Sequence, residues 1–200
     1  MAIRNGASAI GLVSAMPSGP GPIDEALIAE ISADVPPPIA TFLLTSATRA
    51  DAIVAQVRRC RTSAVQLVDA VELTVYGELR LALPGVKLVQ VIHVQNEESI
   101  GEAREAARHV DALLLDSGRP KLAVKELGGT GRVHDWRLSR RIVESVSIPV
   151  FLAGGLNPGN VRDAIAAVRP FGIDVCSGLR SDGRLDEAKL APFAAAVLGA

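Results

Sequence analysis

Residues 112–136 read ALLLDSGRPKLAVKELGGTGRVHDW, and the parsing of this stretch decides the fold. It begins as an apolar run that ends in a carboxylate, Asp116. After a polar connection, Gly128-Gly129-Thr130-Gly131 leads into Asp135-Trp136. A buried strand that delivers an acid to its C-terminal end, followed by a glycine-rich turn into a helix, is the pattern of an active-site wall in an α/β enzyme.

Working outward, the same kind of short β-branched apolar run recurs between helical patterns, which is the mark of parallel strands joined by crossover helices. Seven strands are predicted: Ser8–Val13, Ile39–Thr45, Ala64–Val68, Lys87–Val94, Ala112–Ser117, Ile148–Gly155 and Gly172–Gly178. Helices are predicted over Asp24–Asp34, Thr48–Arg61, Val71–Leu83, Glu97–His109, Asp135–Val146, Pro158–Val168 and Asp186–Val197. In the sixth, Asn157 is the expected cap, Pro158 the first helical residue, and Val161, Ala164, Ile165 and Val168 repeat at i, i+3, i+4, i+7. Each strand and helix together take about one βα unit of chain. Seven such units point either to a (β/α)8 barrel lacking one unit or to an open doubly wound sheet. Ala2–Gly6 reads as the last turn of a helix, with Asn5-Gly6 as its C-terminal cap, so a barrel's missing first strand is expected before Met1.

No Ser/Gly linker or charge run divides the chain, so residues 1–200 are read as one domain. With 48% apolar residues it can bury a sizeable core. A formal charge of −1 and only 3% aromatic residues argue against nucleic acid as a partner. No apolar run approaches the ~18 residues of a membrane span, so no membrane partner is expected. Cys60 and Cys176 have neither disulfide-framework nor zinc-site spacing, which fits a reducing cytoplasm and predicts no metal. The apolar helix faces that would cover a barrel look the same as faces that pack on a partner, which leaves a homo-oligomer open. A nucleotide-binding open sheet would need a P-loop or dinucleotide fingerprint after the first strand, and residues 13–22, VSAMPSGPGP, have neither the lysine nor the spacing.

Four motifs, LLLDS (113–117), GGTGRVHDW (128–136), FLAGGLNPGNV (151–161) and VRPFGIDVCSG (168–178), stand in an order and spacing that resembles the phosphoribosylanthranilate isomerases of tryptophan biosynthesis. GASAIGLV (6–13) and AVQLVD (64–69) occupy matching places with altered residues. The resemblance implies a TIM barrel and an intramolecular oxidoreductase (isomerase). Its reaction would be the Amadori rearrangement of N-(5-phosphoribosyl)anthranilate to 1-(2-carboxyphenylamino)-1-deoxyribulose 5-phosphate. The implied partner is this small phosphorylated sugar, and no cofactor is implied. In the family an aspartate ending barrel strand six protonates the ribose ring oxygen, which is Asp116 here, and an aspartate matching Asp174 helps to hold the substrate amine. A cysteine ending the family's first strand is the base. This chain has neither that strand nor that cysteine, which implies an isomerase impaired in its second step. The family also carries a histidine-glycine pair where this chain has Asp69, and a basic residue in the loop that here is Ala15–Pro22, without Lys or Arg. The alternative is a related phosphosugar-binding barrel with a different or lost activity.

The residues themselves suit the chemistry. Opening an aminosugar ring creates an alkoxide unless an acid protonates it, and a free Asp near pKa ~3.9 must be raised by an apolar setting or a second carboxylate to serve. Leu113–Leu115 offer that setting to Asp116. Backbone N–H groups at glycine turns bind oxyanions, often after the last two strands of a barrel. Gly154 and Gly155, and Ser177 and Gly178, end those strands and are the expected phosphate contacts, with Gly129, Thr130 and Gly131 as a further substrate wall. Strand alternation puts Asp174 and Cys176 on one face. Either His93, near the mouth, or His134, beside the glycine loop, could reach substrate, with core packing as the plainer role of each.

Overall fold

Seven parallel strands form one sheet in strict chain order: β1 (Ala9–Val13), β2 (Ala40–Thr45), β3 (Ala64–Leu67), β4 (Lys87–His93), β5 (Ala112–Asp116), β6 (Val150–Leu152) and β7 (Gly172–Ile173). The computed structural model of the chain describes residues 1–17, 21–119, 125–127, 131 and 133–199. Helices α1 (Glu25–Asp34), α2 (Ala50–Cys60), α3 (Leu73–Ala82), α4 (Glu98–Ala106), α5 (Trp136–Ser145), α6 (Val161–Val168) and α7 (Glu187–Leu198) make the crossovers and the outer layer. A short antiparallel hairpin, β8 (Arg180–Ser181) and β9 (Arg184–Leu185), precedes α7.

Every residue of β3 (AVQL) and β5 (ALLLD) is buried, as expected of parallel strands covered on both faces. Alternation sorts them into two cores. Leu43, Val65, Leu67, Leu88, Leu113, Leu115 and Leu152 point outward to meet Ile53, Val57, Leu79 and Ile142 of the helices. Val89, Val91, Ala112 and Leu114 point inward, where Phe42, Leu44 and Phe151 close over them. The Phe42 and Phe151 rings, from β2 and β6, meet edge to face at 6.4 Å. Contact between strands four places apart requires the sheet to curl, which gives the curled half-barrel of a (β/α)8 fold and rules out a flat doubly wound order. Among the described residues, the outer edges of β1 and β7 have no strand partner.

Local chemistry explains the element ends. Asp24, Asp135 and Asp186 cap α1, α5 and α7 by accepting the N–H of Ala26, Arg137 and Ala188. Helix α2 buries Ile53, Val57 and Cys60 at i, i+4, i+7 and stops at Arg61 in the left-handed conformation, φ 56°. The turn at Ile3–Asn5 is 3-10 and ends at Gly6 with φ 90°, its N–H on the Ile3 carbonyl, which is the expected glycine cap.

Three predicted boundaries are corrected. The last strand does not run to Gly178: it pairs only through Gly172 and Ile173, Asp174 adds one further N–H bond to Leu152, and Ser177–Leu179 turns as a 3-10 helix. With β6 on one side and, among the described residues, no strand on the other, only half of its backbone groups have a strand to bind. β6 likewise spans Val150–Leu152 rather than Ile148–Gly155, because Gly154 and Gly155 adopt φ 88° and 64°. Helix α6 starts at Val161, not Pro158. Asn157 spends its side chain on the Gly159 N–H, and the Asn160 side chain accepts the Asn157 N–H, so these residues form a turn in front of the helix.

After β5 the chain turns back over the barrel mouth. Arg119 and Glu126 exchange two backbone hydrogen bonds of 2.7 and 3.2 Å, and Leu127 drops into the inner core. Gly118 makes this turn fit: a Cβ there would overlap both the His93 ring and the Glu126 carbonyl oxygen.

Candidate active site

The inward residues at the C-terminal ends of β4 and β5 are polar. The register pairs His93 with Asp116, and both are buried, 8% and 7% exposed. An ionised carboxylate there has lost most of its water, so burial raises the Asp116 pKa. The Ser117 N–H, donating to Asp116 Oδ1 at 2.7 Å, and the nearby His93 act in the opposite direction without reversing it. His93 Nε2 lies 2.9 Å from the Val68 carbonyl oxygen. A carbonyl only accepts, so Nε2 carries a proton, and Nδ1 is buried without a hydrogen-bond partner among the described residues.

The other side of the site is backbone. Asp116, Gly131, Gly154, Gly155, Asp174, Cys176 and Ser177 line one cavity of about 50 Å³. Gly154 could not be another residue cheaply. Its φ is 88°, and a Cβ would sit 3.1 Å from His134 Nδ1 and 3.2 Å from both Asp116 Oδ1 and Ser117 Oγ. Asp174 is hemmed in by protein and by the charge of Asp116, which pushes its carboxyl up to about 6. The residue is nevertheless exposed beside the unpaired edge of β7, so solvent draws it back toward the ordinary carboxylate range.

The expected residues thus converge in part. Asp116, Asp174, Gly131, Gly154, Gly155 and Ser177 share one cavity, and Cys176 joins Asp174 there although the strand has already ended at Ile173. Gly178 does not line it. A Cβ at Gly178 would overlap the Leu156 carbonyl oxygen, so this glycine serves close packing between the ends of β6 and β7. Gly129 and Thr130 lie outside the described residues.

Two features escape a linear reading. Asp69, buried at 7%, forms an ion pair with Lys125, 56 positions away, at the rim of the mouth. His134 Nε2 lies 2.6 Å from Ser139 Oγ on α5. No periodicity joins a loop lysine to a strand-end aspartate. A larger hollow of about 670 Å³ opens on the helix side of β4, lined by Tyr76, Gln90 and Glu102 among others. Among the described residues no group of three His, Cys, Asp or Glu is placed to hold a metal ion, and no helix is long and apolar enough to cross a membrane.

Comparison with known proteins agrees with this layout. The family model described as N-(5'phosphoribosyl)anthranilate (PRA) isomerase matches residues 29–196. The N-(5'-phosphoribosyl)anthranilate isomerase of Methanocella arvoryzae is 37% identical over 186 residues, covering 93% of this chain and 85% of that protein. Isomerase 2 of Methanosarcina mazei is 39% identical over 195 residues, covering 96% and 85%. The crystal structure of phosphoribosyl anthranilate isomerase from Thermotoga maritima superimposes with a TM-score of 0.84 at 26% identity, over all of this chain and 92% of that one. The chain belongs to the N-(5'-phosphoribosyl)anthranilate isomerase family.

Proposed function

We propose that the chain catalyses the Amadori rearrangement of N-(5-phosphoribosyl)anthranilate to 1-(2-carboxyphenylamino)-1-deoxyribulose 5-phosphate, with Asp116 as general acid. The observation that carries this reading is a buried carboxyl group with a raised pKa at the end of β5, facing a cavity whose opposite wall is glycine backbone.

In the first step the anthranilate nitrogen lone pair forms a C=N bond as the ring C–O bond breaks, and Asp116 gives its proton to the departing ring oxygen. In the second, a base removes the proton from the sugar C2 and electrons flow back to the nitrogen, giving an enolamine that tautomerises to the ketone. The half-buried turn at Gly154 and Gly155 and the 3-10 turn at Ser177 supply N–H groups for the phosphate. Asp174, open to solvent beside them, holds the substrate amine. Apart from Asp116, the titratable groups among the described residues that line the cavity are Asp174 and Cys176. These are the two to test for the base among the described residues. The free thiols of Cys60 and Cys176 fit a cytoplasmic enzyme.

The test is turnover of phosphoribosylanthranilate, followed by loss of its fluorescence, by this chain and by a form extended with an eighth strand. Asp116→Asn, Asp174→Asn and Cys176→Ala serve as variants. Turnover that Asp116→Asn abolishes supports the assignment. Product binding with no turnover in either form would favour a phosphosugar-binding barrel and defeat the isomerase reading.

A further inference from the structure

Asp116 must become an anion inside the protein each time it gives up its proton, and Ser117 N–H is the hydrogen-bond donor already in place on its Oδ1. A second polar group borders the same carboxylate oxygen. His134 Nδ1 and Asp116 Oδ1 lie 3.1 and 3.2 Å from one point on the face of Gly154, which puts them at most about 6 Å apart. Nδ1 is shielded from solvent and has no hydrogen-bond partner.

Whether that nitrogen donates or accepts follows from its other neighbour. Ser139 is fully buried, and among the described residues the partner of its hydroxyl is His134 Nε2, at 2.6 Å. If Nε2 carried the ring proton, the serine hydrogen would be left buried with no acceptor. If the hydroxyl donates to Nε2, the hydrogen left over is Nδ1–H, which, unlike the serine hydrogen, has a carboxylate oxygen nearby to receive it as Asp116 ionises. The second arrangement puts the ring proton on Nδ1, beside Asp116. The imidazole is also held neutral, its pKa pushed down to about 4 by burial. A neutral donor does not force Asp116 to ionise in the resting enzyme as a cation would, yet it strengthens as negative charge grows on the carboxylate.

We propose that His134 is a positioning residue for Asp116: anchored through Nε2 by Ser139, it presents Nδ1–H to the carboxylate that forms as the acid transfers its proton. The inference rests on the acid role of Asp116 given above. The groups facing Asp116 are His93 from β4, Ser117 on its own loop, His134 from the segment before α5, and Asp174 after β7. Asp135 is the charged neighbour of His134. His93 cannot substitute, since its Nε2 proton is committed to Val68 and its Nδ1 is covered by Gly118.

The experiment compares His134→Phe, which keeps a ring without a donor, with His134→Asn, whose amide N–H can stand in for Nδ1–H. Carbon-13 NMR of the Asp116 carboxyl gives its titration midpoint in each, independent of turnover. The midpoint is expected to rise in His134→Phe and to return toward the parent in His134→Asn. In turnover, kcat of His134→Phe should fall about tenfold to a hundredfold, the worth of a hydrogen bond to a charged group, with KM changed by less than about threefold. The basic limb of its kcat profile should move to higher pH. An unmoved carboxyl midpoint in folded His134→Phe overturns the proposal, as does a kcat loss that His134→Asn fails to repair. If the parent chain shows no turnover, the isomerase reading fails, and the NMR midpoints still decide whether His134 bonds to Asp116.

Discussion

The two walls of the site are built on different principles. At the ends of β4 and β5 the wall is made of side chains: His93, Asp116 and Ser117 are buried and hydrogen-bonded, beside the backbone bridge of Arg119 and Glu126. At the ends of β6 and β7, Gly154, Gly155 and Ser177 line the cavity, with Gly178 packed behind them on Leu156, next to a sheet edge that no strand covers among the described residues. On the reading proposed above, the first wall places one proton and needs low polarity around it. The second, on the same reading, lets an anion approach N–H groups closely, which a Cβ would obstruct. Changes on the acid wall should therefore cost rate with little cost in stability, whereas changes on the glycine wall should cost stability first.

The largest effect should come from Asp116→Asn. General acid catalysis contributes about 10²–10⁴-fold, and an amide cannot supply the proton, so kcat should fall by that range. Because burial already disfavours the Asp116 charge, the neutral amide should leave the melting temperature unchanged or raised. A kcat loss accompanied by a large drop in melting temperature would erase the contrast between the walls. The parent should also lose kcat as pH rises through the raised Asp116 pKa, because only the protonated form donates.

Next in size is Gly178→Ala. Its Cβ would overlap the Leu156 carbonyl oxygen, and backbone cannot step aside as a flexible side chain can. A loss of about 3 kcal/mol or more in urea unfolding is expected, with Gly154→Ala lower, at about 1–2 kcal/mol for the left-handed conformation plus its 3.1–3.2 Å contacts. Gly118→Ala tests where the acid wall stops behaving as chemistry. Its Cβ would overlap the His93 ring and the Glu126 carbonyl oxygen, so it should be as destabilising as Gly178→Ala although it sits beside the acid.

These contrasts mark how far the linear sequence could be read. The seven strands and the order of the walls were legible because each strand is a short apolar run with a helix-period segment behind it, and LLLDS ends in its acid whatever surrounds it. The ends of β6 and β7 were not, since a strand's length depends on its neighbours, and β7 has a neighbour on one side only. The start of α6 was misplaced because Asn157 and Pro158 are as good in a turn as at a cap, and the Asn157–Asn160 hydrogen bond that decides between them is tertiary detail. Gly178 is expected as a phosphate contact from its place at a strand end, and the fold adds a need that the sequence does not display, room against Leu156. The Asp69–Lys125 pair joins a strand end to a distant loop, and only the folded chain brings them together.

The smallest effect lies on Asp174, where the two walls meet. Its carboxyl, pushed up to about 6 by the surrounding protein and then by Asp116, binds a proton more tightly folded than in the unfolded chain, near ~3.9. Between those values the native state holds more protons, so stability is fully present below pH ~4 and falls as pH rises through about 6. Asp174→Asn removes this slope, so its stability relative to the parent should be greater at pH 7 than at pH 4. Solvent reaches the residue beside the open edge of β7, which limits the difference to under about 1 kcal/mol. Urea unfolding of both chains from pH 4 to 7.5 reads it directly. Parallel stability curves would mean that Asp174 behaves as an ordinary solvated carboxylate. Closing the β7 edge with an added strand would exclude that solvent, so the slope should steepen in the closed form, and an unchanged slope would show that the edge is not what sets the exposure of Asp174.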